Sequence, residues 1–333
     1  MPLIRLTSGT SFSAAADRSI LDAAIAAGVS LPYSCRTGRC GTCKCLVTDG
    51  ETKTLLPETG LEAGDAAEGW VLSCARAAVG DVTLDVDDLG GRTLPQPKTL
   101  PCRIHTLERL GEDVVRVLLR LPPTADFTHL PGQYVDVIGF GGVRRSYSLA
   151  NAPAENKLLE LQIRRVPGGA MSEYWFGAAA PNDLLRLHGP FGTFFLRDVA
   201  GRDLVFLATG TGFAPVKAML EGMAGLPPTQ VPRSVTVYWG GRRAADLYWD
   251  VGALGIGRYV PVLSRADPSW EGRRGHVQDV FLADRPNTTD AAVYACGSEA
   301  MIRDAQRSLR TAGLPANRFY SDAFVCSSTE FEP

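Results

Sequence analysis

The sequence predicts a multidomain chain: a small α+β unit, then an antiparallel β-barrel, then an α/β unit on a parallel sheet. Three observations predict it. Four of the eight cysteines, Cys35, Cys40, Cys43 and Cys45, crowd into one early loop, and Cys74 follows. Short strand-like runs separated by turns fill the middle of the chain, as in an antiparallel barrel. From Asp203 onward, apolar strands run into Gly-rich turns and helical runs, the pattern of a nucleotide-binding sheet.

The composition is compatible with well-packed cores. The chain has 333 residues, 45% hydrophobic and 21% charged, enough for two or three domains. A net charge of −2 lacks the basic excess a nucleic-acid partner would want. Met1–Thr10 does not read as a secretory signal, and no apolar run reaches membrane-spanning length. The expectation is a cytoplasmic protein, without nucleic-acid or membrane partners, whose cysteines are thiols and not disulfides.

Residues 1–92 form the first expected unit. Within it, Ile20–Ala27 reads as a helix with Asp17 or Ser19 as N-cap, and Leu46-Val47 and Val82–Val86 as strand pieces. Gly90–Pro101 holds two Gly and three Pro, the composition of a short semi-rigid connector, so 93–100 is expected to be a linker. The barrel unit, 101–199, is drawn from runs such as Val114–Leu121, Gln133–Ile138 and Leu158–Arg164, with a turn at Gly139–Gly142. The third unit, 200–333, has strands at Leu204–Ala208, Val235–Trp239 and Ala292–Ala295 and a helical run at Val216–Met223.

Cys35, Cys40 and Cys43 have the spacing C-x4-C-x2-C, and thirty residues then separate Cys43 from Cys74. That is the spacing of a plant-type [2Fe–2S] cluster, whose irons take soft thiolates. Gly38 and Gly41 would let the loop wrap closely round it. Structural zinc or incidental cysteines are the alternatives, but zinc sites usually show a C-x2-C pair in each half, and Cys74 stands alone. Cys45 reads as a spectator, and Cys102 and Cys326 receive no role. Arg36, Arg39 and Lys44 make the loop basic, either a solvated rim or a docking surface for an acidic acceptor.

Arg144-Arg145-Ser146-Tyr147-Ser148 contains R-x-Y-S, and Gly169 and Ser172 form G-x-x-S. Together these resemble the flavin motifs of the ferredoxin–NADP reductase superfamily. The resemblance implies that Arg145 meets the pyrophosphate of FAD, that Tyr147 lies against the isoalloxazine and that Ser148 reaches its N5 edge. It also implies that Gly169 and Ser172 cradle the pyrophosphate at a helix start. A guanidinium fork suits phosphate and a phenol offers a flat face.

Leu204–Pro215 runs from an apolar strand into Gly210-Thr211-Gly212, with Pro215 expected at the first helical position. Alone this is an ordinary tight strand-to-helix turn, but G-T-G-x-A-P is similar to the nicotinamide turn of the same superfamily. Cys296-Gly297-Ser298-Glu299-Ala300-Met301 resembles its C-G-P-x-x-M, with Ser298 in place of Pro. By that resemblance Cys296 sits beside the nicotinamide; a buried structural thiol is the other reading. Phe324 matches an aromatic residue that covers the flavin in relatives, with a core phenylalanine as the alternative. Arg242 and Arg243 could pair a 2′-phosphate and Asp246 would resist one, which leaves NADH and NADPH both open; the resemblance of Asp246-Leu247-Tyr248 to relatives that favour NADH implies NADH.

The resemblance covers essentially the whole chain, as a plant-type ferredoxin β-grasp unit, a FAD barrel and a nicotinamide unit. It implies a reductase that takes hydride from NADH to FAD and passes single electrons through the cluster to a partner protein. Leu121–Ala125, Arg144–Pro153, Gly192–Phe195 and Ser321–Val325 look most like reductases that serve Rieske-type oxygenases or an iron–sulfur deoxysugar dehydrase. The rival expectations are a self-sufficient NADH oxidase or diaphorase, and a non-enzymatic redox sensor or zinc-stabilised scaffold.

Overall fold

The computed structural model describes residues 1–255 and 257–325. The described residues divide into two compact units, one of Met1–Leu94 with Asp322–Val325, the other of Pro95–Ser321.

The first unit is a five-stranded mixed sheet, in the order Ser11–Ser13, Leu3–Leu6, Val82–Asp85, Lys44–Asp49, Trp70–Leu72. Its parallel pair joins the first strand to the last, Ile4 opposite Val82, and the neighbouring pairs are antiparallel. Helix Ile20–Ala26 buries Ile20, Leu21, Ala23 and Ala24. Ser19 is its N-cap, accepting from the Asp22 amide at 3.0 Å; this satisfies one of the four N–H groups a helix start leaves unpaired.

The second unit holds two sheets. One is antiparallel, ordered Arg144–Ser148, Tyr134–Ile138, Leu184–Phe191, Lys98–Arg109, Val114–Arg120, Leu158–Arg164. A bridge between Leu149 and Leu161 joins its two edges and closes a barrel, whose interior is filled by Ile104, Val117, Leu119, Val135, Leu161 and Leu187. The expected connector overlaps this sheet: Lys98 to Pro101 already pair with Gly189 to Arg186. An edge-like proline signal concealed a strand whose carbonyls and remaining N–H groups still pair.

The other sheet holds the parallel strands Arg273–Arg274, Arg258–Leu263, Ser234–Gly241, Asp203–Thr209 and Ala291–Ser298, in that order. The chain enters at Asp203–Thr209, winds outward to one side, then crosses to Ala291–Ser298 on the other. A crevice opens at the carboxyl ends of strands where the order reverses in this way. Gly210 and Gly297 follow or end those two strands. Helix Phe213–Met223 starts two residues before Pro215, so Pro215 is third and not first. Its missing N–H is harmless there, because the first four amides have no intrahelical partner. No helix of the described residues is long and apolar enough to cross a membrane.

Candidate functional site

The cysteine loop folds back so that its thiols form two couples. Cys43 Sγ lies 3.2 Å from Cys74 Sγ, toward which its thiol donates. This donation lowers the Cys74 pKa and raises that of Cys43. The Cys40 thiol in turn lowers Cys35 to about 5 and is itself raised. Among the described residues no three metal-ligating side chains converge on one ion position. Two couples, and not one four-fold site, suit a binuclear centre in which each iron takes two thiolates. The loop is also shaped for close wrapping. Gly38 has φ +76°, and a Cβ there would come within 2.2 Å of the Pro57 carbonyl oxygen, so no other residue fits. Cys45 is fully buried and its thiol is pushed up to about 12 by burial. Cys102 is likewise raised to about 12 by burial, and Cys326 lies outside the described residues.

The basic rim takes a different form from the one its sequence suggests. Arg36 pairs with Asp22 at 2.6 Å and Lys44 with Asp65 at 2.6 Å. The acids come from the helix Ile20–Ala26 and from the short 3-10 turn Asp65–Glu68, so two of the three rim charges are paired within the unit.

On the barrel, Arg145 and Tyr147 lie opposite Val137 and Val135. Strand alternation puts both on one face and Ser148 on the other. Arg145 Nη1 donates to the Arg144 carbonyl at 2.7 Å, which leaves further guanidinium donors. The Tyr147 hydroxyl accepts from Trp175 Nε1 at 3.0 Å, the two rings meeting edge to face; burial raises its pKa to about 12. Gly169 caps a four-residue helix, Ala170–Glu173, continued by a wider π-type turn to Ala178. The Ser172 hydroxyl accepts from the Val166 amide at 2.9 Å, so it folds its own loop. Available guanidinium donors beside a rigidly held phenol fit a flavin nucleotide, while Ser172 has a structural task first.

At the parallel sheet, Gly210–Gly212 forms a 3-10 turn before helix Phe213–Met223. The Gly210 carbonyl accepts from Trp239 Nε1 at 2.9 Å, and Trp239 stacks on Phe213 at 4.3 Å. Thr211 is buried beside them. A Cβ on Gly212 would meet the Cys296 carbonyl oxygen at 2.3 Å; glycine is what lets the two strand ends touch. Gly210, Thr211, Gly212, Cys296 and Gly297 are thereby brought together, at the reversal point. Cys296 is 0% exposed. Ser298 caps helix Glu299–Thr311, its side chain accepting from the Met301 amide. Phe324 is 36% exposed and so is not a core residue.

Three contributors were not singled out from sequence. Trp175 holds Tyr147. Arg164, at the end of a barrel strand, bonds Asp113 at 2.8 Å and reaches Asp246 at 3.4 Å. Asp246 in turn accepts from the Arg242 and Arg243 amides at 2.7 and 3.1 Å, so its carboxylate organises the loop it stands in. Glu58 is the third and is treated below. All three act across long sequence separations, and the only local signal was a charged residue beside a motif.

Fold and site define an iron–sulfur flavoprotein reductase, and comparison with known proteins agrees. Residues 4–79 match the family described as 2Fe-2S iron-sulfur cluster binding domain. Residues 101–196 match an oxidoreductase FAD-binding domain and 206–307 an oxidoreductase NAD-binding domain. The chain belongs to the three-domain [2Fe–2S]/FAD/NAD reductases of the ferredoxin–NADP reductase superfamily. Among its relatives is the CDP-6-deoxy-L-threo-D-glycero-4-hexulose-3-dehydrase reductase of Yersinia pestis, 41% identical over 96% of this chain and 97% of the relative. The reductase subunit of an aromatic O-demethylase from Amycolatopsis is 34% identical over 93% and 95%. A crystal structure of an Amycolatopsis cytochrome P450 reductase superposes with TM-score 0.77 at 31% identity, covering 98% and 100%.

Proposed function

We propose that this reductase takes hydride from NADH to FAD and sends single electrons through its [2Fe–2S] centre to a separate iron–sulfur dehydrase acting on a nucleotide-linked deoxysugar. The carrying observation is the pair of thiol couples, Cys35 with Cys40 and Cys43 with Cys74, in a chain that also has FAD- and NAD-binding domains. The deoxysugar partner is favoured by the 41% identity to a dehydrase reductase over nearly the whole chain. An oxygenase component is the second reading, supported by the more distant oxygenase reductases.

Bound FAD supplies a two-electron acceptor that can discharge singly, and the iron–sulfur centre supplies a one-electron carrier. The chain's own part is to bind and orient. Cys35, Cys40, Cys43 and Cys74 would be the iron ligands. Arg145 would hold the pyrophosphate with Gly169 and Ser172, Tyr147 would present its ring to the isoalloxazine, and Ser148 would sit at the N5 edge. Gly210, Thr211, Gly212, Pro215 and Gly297 would shape the nicotinamide crevice, with Cys296 at its floor and Phe324 as the aromatic cover. The assigned division is 1–92, linker 93–100, 101–199 and 200–333.

The test is spectroscopic and kinetic. Pure protein should show flavin bands and broad cluster absorption, both bleached by NADH. NADH oxidation should rise on adding a purified nucleotide-sugar dehydrase. Colourless, zinc-loaded protein would overturn the cofactor reading; stimulation by an oxygenase alone would overturn the dehydrase, and rapid turnover with oxygen alone would favour an oxidase.

A further inference from the structure

The loop 55–61 contributes no cysteine, yet it touches both parts of the cysteine set. On one side the Gly60 amide donates to the Gly38 carbonyl at 2.9 Å. The Pro57 carbonyl fills the space beside Gly38, and Gly60 is flush against the Arg39 carbonyl and the Gly41 amide. On the other side the Leu55 amide donates to the Ala75 carbonyl at 2.7 Å, next to Cys74. Most residues of this loop are exposed, but Glu58 turns inward, its side chain only 9% exposed.

The Glu58 carboxylate straddles the turn that carries Cys74. Oε1 accepts from the Leu72 amide at 2.7 Å, at the end of strand Trp70–Leu72. Oε2 accepts from Arg76 Nε at 2.7 Å and pairs with Arg76 Nη2 at 2.6 Å, at the start of strand Arg76–Ala78. A fork of guanidinium and amide donors on a shielded carboxylate is geometrically demanding, so it fixes position as well as adding energy. The same loop meets Gly38 through its backbone, so Glu58 ties Cys74 to the loop of the first three thiols.

We propose that Glu58 is a positioning residue for the iron–sulfur centre: through Arg76 and the Leu72 amide it sets the distance from Cys74 to the other three thiols. This rests on those thiols being the iron ligands. An outer partner that orients ligands tunes both retention and potential of a metal centre.

The experiment uses the full chain, reconstituted anaerobically with ferrous iron and sulfide. Glu58→Gln keeps an oxygen for Leu72 but cannot pair with Arg76; Arg76→Gln removes the same pair from the other side. Iron and sulfide content, loss of the visible bands under chelator and the midpoint potential are read, with FAD content and far-ultraviolet dichroism as checks of folding. Both variants should lose cluster to chelator about three- to tenfold faster than wild type and shift the potential, as outer-sphere changes do, while Arg76→Lys restores part of the retention. If both variants match wild type in retention and potential, Glu58 merely stabilises a surface loop and the proposal is overturned. If wild type itself takes up no iron and sulfide, it is the four-thiolate reading that fails.

Discussion

Lys217 Nζ lies 3.3 Å from Glu160 Oε2, and both side chains are 3% exposed. Lys217 belongs to the helix after the Gly210 turn, and Glu160 to a barrel strand. The ammonium also donates to Glu221 at 2.6 Å and to the Ala150 carbonyl at 3.0 Å, while Arg116 donates to Glu160 at 3.0 Å. A buried charge with all its donors occupied is tolerable; one stripped of its partner is costly, about 3–5 kcal/mol. Glu160 keeps Arg116 when the ammonium is removed, so Lys217→Met should destabilise the 95–321 unit by less, about 1–3 kcal/mol, seen as a lower denaturation midpoint. A change under about 1 kcal/mol would show that water reaches the pair.

Asp203 anchors the opposite end of the parallel sheet, where Arg233, Arg285 and Ser234 all bond its carboxylate. The Arg233 hydrogen bond, followed by Ser234 and Arg285, holds its pKa well below the ordinary carboxylate value. With the folded value depressed, the stabilisation is complete above the unfolded pKa of about 3.9 and fades as pH falls below it. Half-exposed Arg233 screens the interaction, so about 0.5–1 kcal/mol is expected. Asp203→Asn should be less stable than wild type near neutrality, and the gap should narrow under acid in denaturant titrations. A gap constant down to pH 2.5 or so would refute the assignment.

Removing one thiolate separates the two redox halves. Cys74→Ser breaks a couple in the Met1–Leu94 unit and leaves the Pro95–Ser321 unit untouched. FAD content and NADH-driven reduction of a small dye acceptor should persist. Cluster absorption should vanish, and transfer to the protein partner should fall by about a hundredfold or more. Retained transfer would mean that electrons bypass the cluster.

Tyr147 has two separable features, a ring and an acceptor for Trp175. Tyr147→Phe keeps the ring but strands a buried N–H, at a cost of about 1–3 kcal/mol; FAD should still bind. Tyr147→Ala removes the flat face, and FAD retention through gel filtration should drop sharply. Equal retention by both variants would place the flavin elsewhere.

What could be read in the sequence was local. The spacing of Cys35, Cys40 and Cys43, the Ser19 cap and the apolar run into Gly210 each depend on neighbours within a few residues. The barrel start was missed because Pro95, Pro97 and Pro101 look like a linker, although Lys98–Pro101 find partners some ninety residues away at 186–189. The same limit hid the acids that neutralise Arg36 and Lys44, since Asp22 and Asp65 belong to other segments. Glu58, Arg164 and Trp175 carry no motif, and their tasks exist only once distant strands are adjacent.

Ser298 is where the chain departs from the C-G-P-x-x-M pattern, and its geometry explains why the departure is tolerated. Its backbone has φ −66°, the value proline would impose. The turn therefore keeps the same path with either residue, and serine adds a side-chain acceptor for the Met301 amide at 3.3 Å. Ser298→Ala should cost about 0.5–2 kcal/mol through loss of this cap. Ser298→Pro should cost a similar amount and leave the KM for NADH unchanged, because Cys296 and Gly297 would not move. A raised KM in the proline variant alone would show that the Ser298 amide, and not the shape of the turn, matters to the nicotinamide.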